Sequence, residues 1–177
     1  VNGRLLLQVC CAPDATVGFE RLMPDWRVVG YFFNPNIHPV DEYSKRLSDI
    51  LRLGCSMGVE IRTGEYLEKD WLAAVRGLEN EPERGKRCDV CYHFRMENTA
   101  RLAKQEGFDA FATVLTVSPH KSSRTINQMG QELSKNLGVD YLDTDLKKQD
   151  GFKRSVELSR QFGLYRQRYC GCRYSWR

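Results

Sequence analysis

Residues 4–14 read RLLLQVCCAPD, and the fold follows from how this stretch is parsed. Arg4 to Cys10 has the length and apolar composition of a short buried strand. Ala12-Pro13-Asp14 then breaks the extended pattern, and an amphipathic helix is expected from about Ala15 with Asp14 placed to cap it. Adjacent side chains on a strand point to opposite faces, so packing alone gives no reason to put thiols on both Cys10 and Cys11. A buried strand that runs into a helix through two cysteines therefore suggests a βαβ unit with a ligand at its turn.

Working outward, the same alternation continues. Val28 to Phe33 reads as a second buried strand, followed by the turn-rich segment 34–39 and a helix over about 40–57 with apolar positions at Tyr43, Leu47, Ile50, Leu51 and Leu53. A strand near 59–62, a helix around 67–78 and a charged loop over 79–87 precede a helix from Cys88 to about Gln105. Ala110 to Val117 reads as the next strand, leading through SPHKSS at 118–123 into a helix over about 124–137. A strand near Tyr141, a helix from Phe152 to Phe162 and an irregular tail complete the chain. This pattern predicts one three-layer α/β domain over 1–177, Rossmann-like, with a mostly parallel sheet and helices on both faces. Ligands of such sheets sit beyond the carboxyl ends of the strands, where the loops at 10–14, 34–38 and 118–123 should gather.

Composition narrows the class. With 41% hydrophobic and 28% charged residues the chain is ordinary for a globular protein, which argues against disorder. Its apolar runs are too short to cross a bilayer and it opens on no signal-like segment, so no membrane partner and a cytoplasmic location are expected. Charge is unevenly spread. Nine Lys and Arg stand in 147–177 against Asp150 and Glu157, a local excess of +7 in a chain of net charge +4.

Seven cysteines are an odd number for a chain of this class, and six fall in pairs: Cys10 and Cys11, Cys88 and Cys91, Cys170 and Cys172. Pairing favours metal ligation over disulfides. Cys88 and Cys91 sit at an expected helix start, where the helix field favours thiolates, and Gly171 lets the backbone bend between its flanking cysteines. One tetrahedral zinc takes four ligands and would leave two thiols over. A thiolate-bound iron–sulfur cluster takes up to four, leaving two cysteines and Asp14 for a further metal. Spacing does not decide between these. Cys55, alone on its helix, reads as a core residue.

The motifs CCAPD at 10–14, YFFNPNIHPVDEYSKR at 31–46, CDVCYHFRM at 88–96, SPHK at 118–121 and DGFKRSVELSRQFGLYRQRYCGC at 150–172 resemble the QueH family of epoxyqueuosine reductases over nearly the whole chain. The resemblance implies reduction of epoxyqueuosine to queuosine at the tRNA wobble position by an iron–sulfur enzyme of the adenine-nucleotide α-hydrolase-like fold. Relatives of that fold that use ATP carry a Ser-Gly-Gly-x-Asp-Ser phosphate loop where this chain has CCAPD, so no ATP hydrolysis is expected. Two rival readings are a zinc-stapled tRNA-binding module and an ATP-dependent tRNA thiolase of the same fold.

On this reading the six paired cysteines hold a [4Fe-4S] cluster and an adjacent iron, with Asp14 as ligand or proton-handling group. His38 and His120, both beside prolines, would donate a proton or contact substrate, and His93 would support a ligand. Tyr31, Asn34 and Asn36 are expected to line a base pocket, with core packing the alternative for Tyr31. Cations interleaved with Phe152, Phe162, Tyr165, Tyr169, Tyr174 and Trp176 suit an unpaired RNA loop, although Phe152 and Phe162 also read as core aromatics. Arg166, Arg168, Lys121 and Arg124 are the expected tRNA contacts. An electron donor of unknown identity completes the partners.

Overall fold

The structure, a computed structural model, describes residues 2–175; Trp176 lies outside them. Five parallel strands, β1 (Arg4–Gln8), β2 (Arg27–Phe32), β3 (Glu60–Thr63), β4 (Ala110–Thr113) and β5 (Asp140–Tyr141), form one sheet in the order β3-β2-β1-β4-β5. Leu6 pairs with Val29 on one side and Phe111 on the other. Leu5, Leu6 and Leu7 are all fully buried, as a central strand covered on both faces requires.

Six helices connect and cover the sheet: α1 (Ala12–Leu22), α2 (Val40–Met57), α3 (Glu68–Ala74), α4 (Lys86–Gln105), α5 (Ser123–Leu137) and α6 (Gly151–Gln161). The chain steps outward from β1 to β3, then returns to place β4 and β5 on the other side of β1. Right-handed crossovers therefore send α1 and α2 to one face and α5 to the other. α6 packs on α1, and α4 packs on α5, completing the layers. The strand order reverses between β1 and β4, which opens a crevice at their carboxyl ends. Among the described residues no helix is long and apolar enough to cross a membrane.

Local chemistry moves several expected boundaries. α1 starts at Ala12 with Cys11 as its cap, and no side chain bonds the free amides there, so Asp14 is a first-turn residue and not a cap. Pro13, with its preset φ and no N–H to lose, is what allows the early start. β4 ends at Thr113 because its hydroxyl accepts from the Leu115 amide at 3.1 Å, turning 114–117 into a 3-10 helix. On α2 the buried face is Tyr43, Arg46, Ile50 and Leu53, leaving Leu51 and Cys55 exposed. Cys55 is thus a surface thiol, contrary to its reading as core.

Candidate metal centre

β1 delivers its end to the crevice. Just past it the backbone at Cys11 is still extended, and the first turn of α1 then brings Asp14 back beneath Cys10. The Cys10 Sγ lies 3.8 Å from Cys11 Sγ and 3.6 Å from Asp14 Oδ2. All three ligand atoms fall within 4.8 Å of one another. The hydrogen bond between the two thiols holds Cys10 below the ordinary thiol value and, with burial, raises Cys11 well above it.

Cys88 and Cys91 share one face of α4's first turns, as their spacing dictates. The Cys88 sulfur accepts from the Arg84 amide at 3.2 Å, while burial raises its thiol.

The third pair is set by the tail's docking onto α2. Arg46, itself buried, donates to the Tyr169 and Cys170 carbonyls at 3.1 and 2.9 Å and is paired with Glu42 at 2.7 Å. The Gly171 carbonyl accepts from the His38 amide at 2.7 Å, and Ile37 bridges Cys172 in antiparallel fashion. Gly171 adopts φ +109°, a left-handed conformation that L side chains rarely take, and so curls the chain between the two sulfurs. A bond to Cys172 lowers the Cys170 thiol to about 5 against the cost of burial, with Ser175 Oγ at 3.0 Å adding to it; the same bond pushes Cys172 up.

These three segments meet on one cavity of about 350 Å³. Its walls carry Cys10, Cys88, Cys91, Cys170, Cys172 and Asp14, with Cys11 directly behind Cys10. Among the described residues four buried side-chain atoms have no hydrogen-bond partner: Asn36 Oδ1, Trp71 Nε1, Arg87 Nε and Gln167 Oε1. All four residues line this same cavity. Native proteins leave few such atoms unmet, so their concentration marks a cavity shaped around a group with both donors and acceptors. The donors are six sulfurs and one carboxylate, a set that fits thiolate-bound iron. Trp71 packs with Cys91 and Cys172 in a small apolar cluster of its own, which screens these ligands from water.

Not every expected residue reaches the cavity. Asn36, His120, Lys121, Arg166 and Arg168 line it. Tyr31 and Asn34 do not: Tyr31 donates to Asn98 at 2.7 Å from a buried site, and Asn34 is fully buried beneath the Cys10 segment with its amide on the Val9 carbonyl at 2.9 Å. His38 lies on the far side of the 170–172 loop, its Nδ1 3.6 Å from Glu68 and 3.5 Å from Arg173. Arg124 is exposed on α5, and His93 is exposed beside Glu97 at 3.6 Å; neither is on the cavity wall.

Two further wall residues are Phe152 and Arg95. Phe152, expected in the core, is 39% exposed at the cavity rim with the Arg166 guanidinium 5.7 Å from its ring centre. Arg166 also donates to Ser159 Oγ at 3.1 Å, which fixes it against α6. Arg95 lies four residues after Cys91, a spacing that already puts both on one helix face.

Comparison with known proteins follows this geometry. The family model described as "Epoxyqueuosine reductase QueH" matches residues 5–177. A protein of that name from Streptococcus pyogenes is 42% identical over 99% of this chain and 71% of its own length. One from Thermotoga maritima is 34% identical over 98% of this chain and 90% of its own. Among solved structures, the U34-tRNA thiolase NcsA from Methanococcus maripaludis with its [4Fe-4S] cluster superposes with a TM-score of 0.61 at 15% identity, over 99% of this chain and 62% of that one. A "predicted subunit of tRNA methyltransferase" from Methanocaldococcus jannaschii gives 0.62 at 12%, over 89% and 74%. These two share the fold, an α/β domain of the kind expected.

Proposed function

Because the chain belongs to the QueH family of epoxyqueuosine reductases, we propose that its paired cysteines and Asp14 hold the redox metals of the reaction that family performs. The protein is an enzyme that converts epoxyqueuosine to queuosine in tRNA. Turning an epoxide into an alkene consumes two electrons and two protons and releases water. The two electrons come ultimately from an external donor, and a redox cofactor held in the cavity would relay them to the epoxide.

We divide these residues into two ligand sets. Cys88, Cys91, Cys170 and Cys172 form the four-thiolate set suited to a [4Fe-4S] cluster. Cys10, Cys11 and Asp14, whose donor atoms lie within 4.8 Å of one another, form a three-ligand set for one iron with an open position. Bound there, the cluster would supply electrons and the iron a Lewis acid for the epoxide oxygen. A zinc-stapled binding module leaves the Cys10, Cys11 and Asp14 set without work, and CCAPD replaces the phosphate loop that a thiolase would need.

The remaining wall residues handle substrate and protons. Arg166, Arg168 and Lys121 present positive charge at the mouth, where it neutralises anticodon-loop phosphates. Phe152, backed by Arg166, offers an exposed ring face to an unpaired base. Asn36 Oδ1 and Gln167 Oε1 await hydrogen-bond donors, which the hydroxyl and amine groups of the modified base provide. His120 is exposed at the rim, where its imidazole would hand a proton to the departing oxygen. A tRNA substrate places the reaction in the cytoplasm.

The observation that carries this reading is the convergence of three sequence-distant cysteine pairs at one cavity, whose wall residues include the four that carry orphaned polar atoms. Anaerobic reconstitution with iron and sulfide, then a chemical reductant and mass analysis of nucleosides from epoxyqueuosine-containing tRNA, tests it. Queuosine should appear only with reconstituted protein. A chain that binds a single zinc and no acid-labile sulfide would overturn it.

A further inference from the structure

Arg95 is a cation with no carboxylate. The residue is only 4% exposed, and its guanidinium donates from Nε to the Cys91 carbonyl at 3.3 Å and from Nη1 to Asn34 Oδ1 at 3.2 Å. Both acceptors are neutral. No Asp or Glu forms an ion pair with it among the described residues. Arg46, equally buried, has Glu42 at 2.7 Å. A buried charge left unpaired is among the most costly features a fold can carry, so an anion is expected near it.

The Tyr92 ring centre lies 5.7 Å from the guanidinium, and the cavity that Arg95 lines is walled by thiols from three segments: Cys91 on its own helix, Cys10 just past β1 and Cys170 in the tail. They belong to both ligand sets proposed above. Asn34 holds the arginine in place and is itself fully determined. Its Oδ1 accepts from Gln8 Nε2 at 3.3 Å as well as from Arg95, its Nδ2 donates to the Val9 carbonyl, and Gln8 Oε1 accepts from Thr113 at 2.7 Å. Gln8, Asn34 and Thr113 are each fully buried. An aspartate in place of Asn34 has the same size and would cancel the charge, at the cost of the bond from Nδ2 to the Val9 carbonyl. A neutral amide there orients the guanidinium and leaves its positive charge for the thiolates.

We propose that Arg95 is the internal counter-cation of the thiolate centre, raising the reduction potential of the metals held by Cys91, Cys170 and Cys10. A fixed positive charge stabilises the reduced, more negative state of a cluster, and net charge and hydrogen bonding are the main protein controls on its potential. Arg95 is a positioning and charge-setting residue that does not touch substrate. This inference rests on the preceding reading of the cysteines as redox-metal ligands.

The test is an EPR-monitored redox titration of anaerobically reconstituted wild-type protein, Arg95→Gln, Arg95→Lys and Asn34→Asp. Arg95→Gln and Asn34→Asp should each lower the midpoint potential by a tenfold change in the reduction equilibrium or more, about 59 mV for one electron, and Arg95→Lys should lie closer to wild type. The Asn34→Asp variant retains the arginine and side-chain size, so it decides the matter if Arg95→Gln fails to load. Loaded variants with the wild-type midpoint would overturn the proposal while leaving the metal centre intact. A wild-type protein that takes up no cluster would instead overturn the metal reading, and this inference with it.

Discussion

Asp14 Oδ2 stands 3.6 Å from Cys10 Sγ across the first turn of α1, bonded to no backbone amide. A cap would have been turned toward the helix end; this carboxylate is turned toward the thiol. Asp14→Asn, which keeps size and removes charge, should lower iron by about one ion per chain relative to wild type while acid-labile sulfide stays constant. Cys170→Ala should remove the sulfide. Paired iron and sulfide assays check both, and loss of sulfide in Asp14→Asn would contradict the division of ligands.

Gly171 bends the tail at φ +109°, and a Cβ there would meet Ile37 Cγ1 at 3.0 Å and Arg46 Nη1 at 3.1 Å. Gly171→Ala should cost about 1–3 kcal/mol of stability and misdirect Cys170 or Cys172. Denaturant unfolding of the metal-free protein measures the first effect. Reduced visible absorption per chain after reconstitution measures the second.

Arg166 and Arg168 line the cavity mouth. Replacing both by Gln should weaken binding of an anticodon stem-loop and flatten its dependence of log K on log salt by about 1.4, two contacts at the single-strand value. Filter binding from low to moderate salt reads this, and an unchanged slope would remove both residues from the interface. The cluster's absorption should not change.

Glu20 on α1 and Arg154 on α6 pair at 2.6 Å. The hydrogen bond from Arg154 holds the Glu20 carboxyl below its ordinary value of 4.5, with burial opposing it weakly. A depressed folded value means that the stabilisation is present above the unfolded pKa and is lost as pH falls through the folded one. Arg154→Ala should therefore narrow the stability difference between neutral and acid pH. Urea midpoints at pH 7 and pH 3 of both proteins test this, and an identical acid loss in the variant would show the pair to be idle.

Much of the site was legible in one dimension because its signals are local. The apolar strand running into CCAPD, the Cys88 and Cys91 spacing on a helix, the glycine between Cys170 and Cys172, and the motifs shared with the family all depend on residues within a turn or two of each other. Asp14, by contrast, was ambiguous in sequence, since a helix cap and a ligand are both first-turn residues. The backbone path around Pro13 makes Cys11 the cap residue and leaves Asp14 beside Cys10.

Sequence alone determined the alternation of strands and helices, the three cysteine pairs and the basic tail, since each follows from spacing or composition. Tertiary structure decided which thiols stand with Asp14, that Phe152 and Cys55 face outward, that Tyr31 and Asn34 face inward, and that Arg95 is buried without a carboxylate partner among the described residues. The reason is geometric. Helical and strand periodicity specify which residues share a face, but whether that face meets solvent, core or another segment depends on the crossovers that bring β1, α4 and the tail together at the reversal of the sheet.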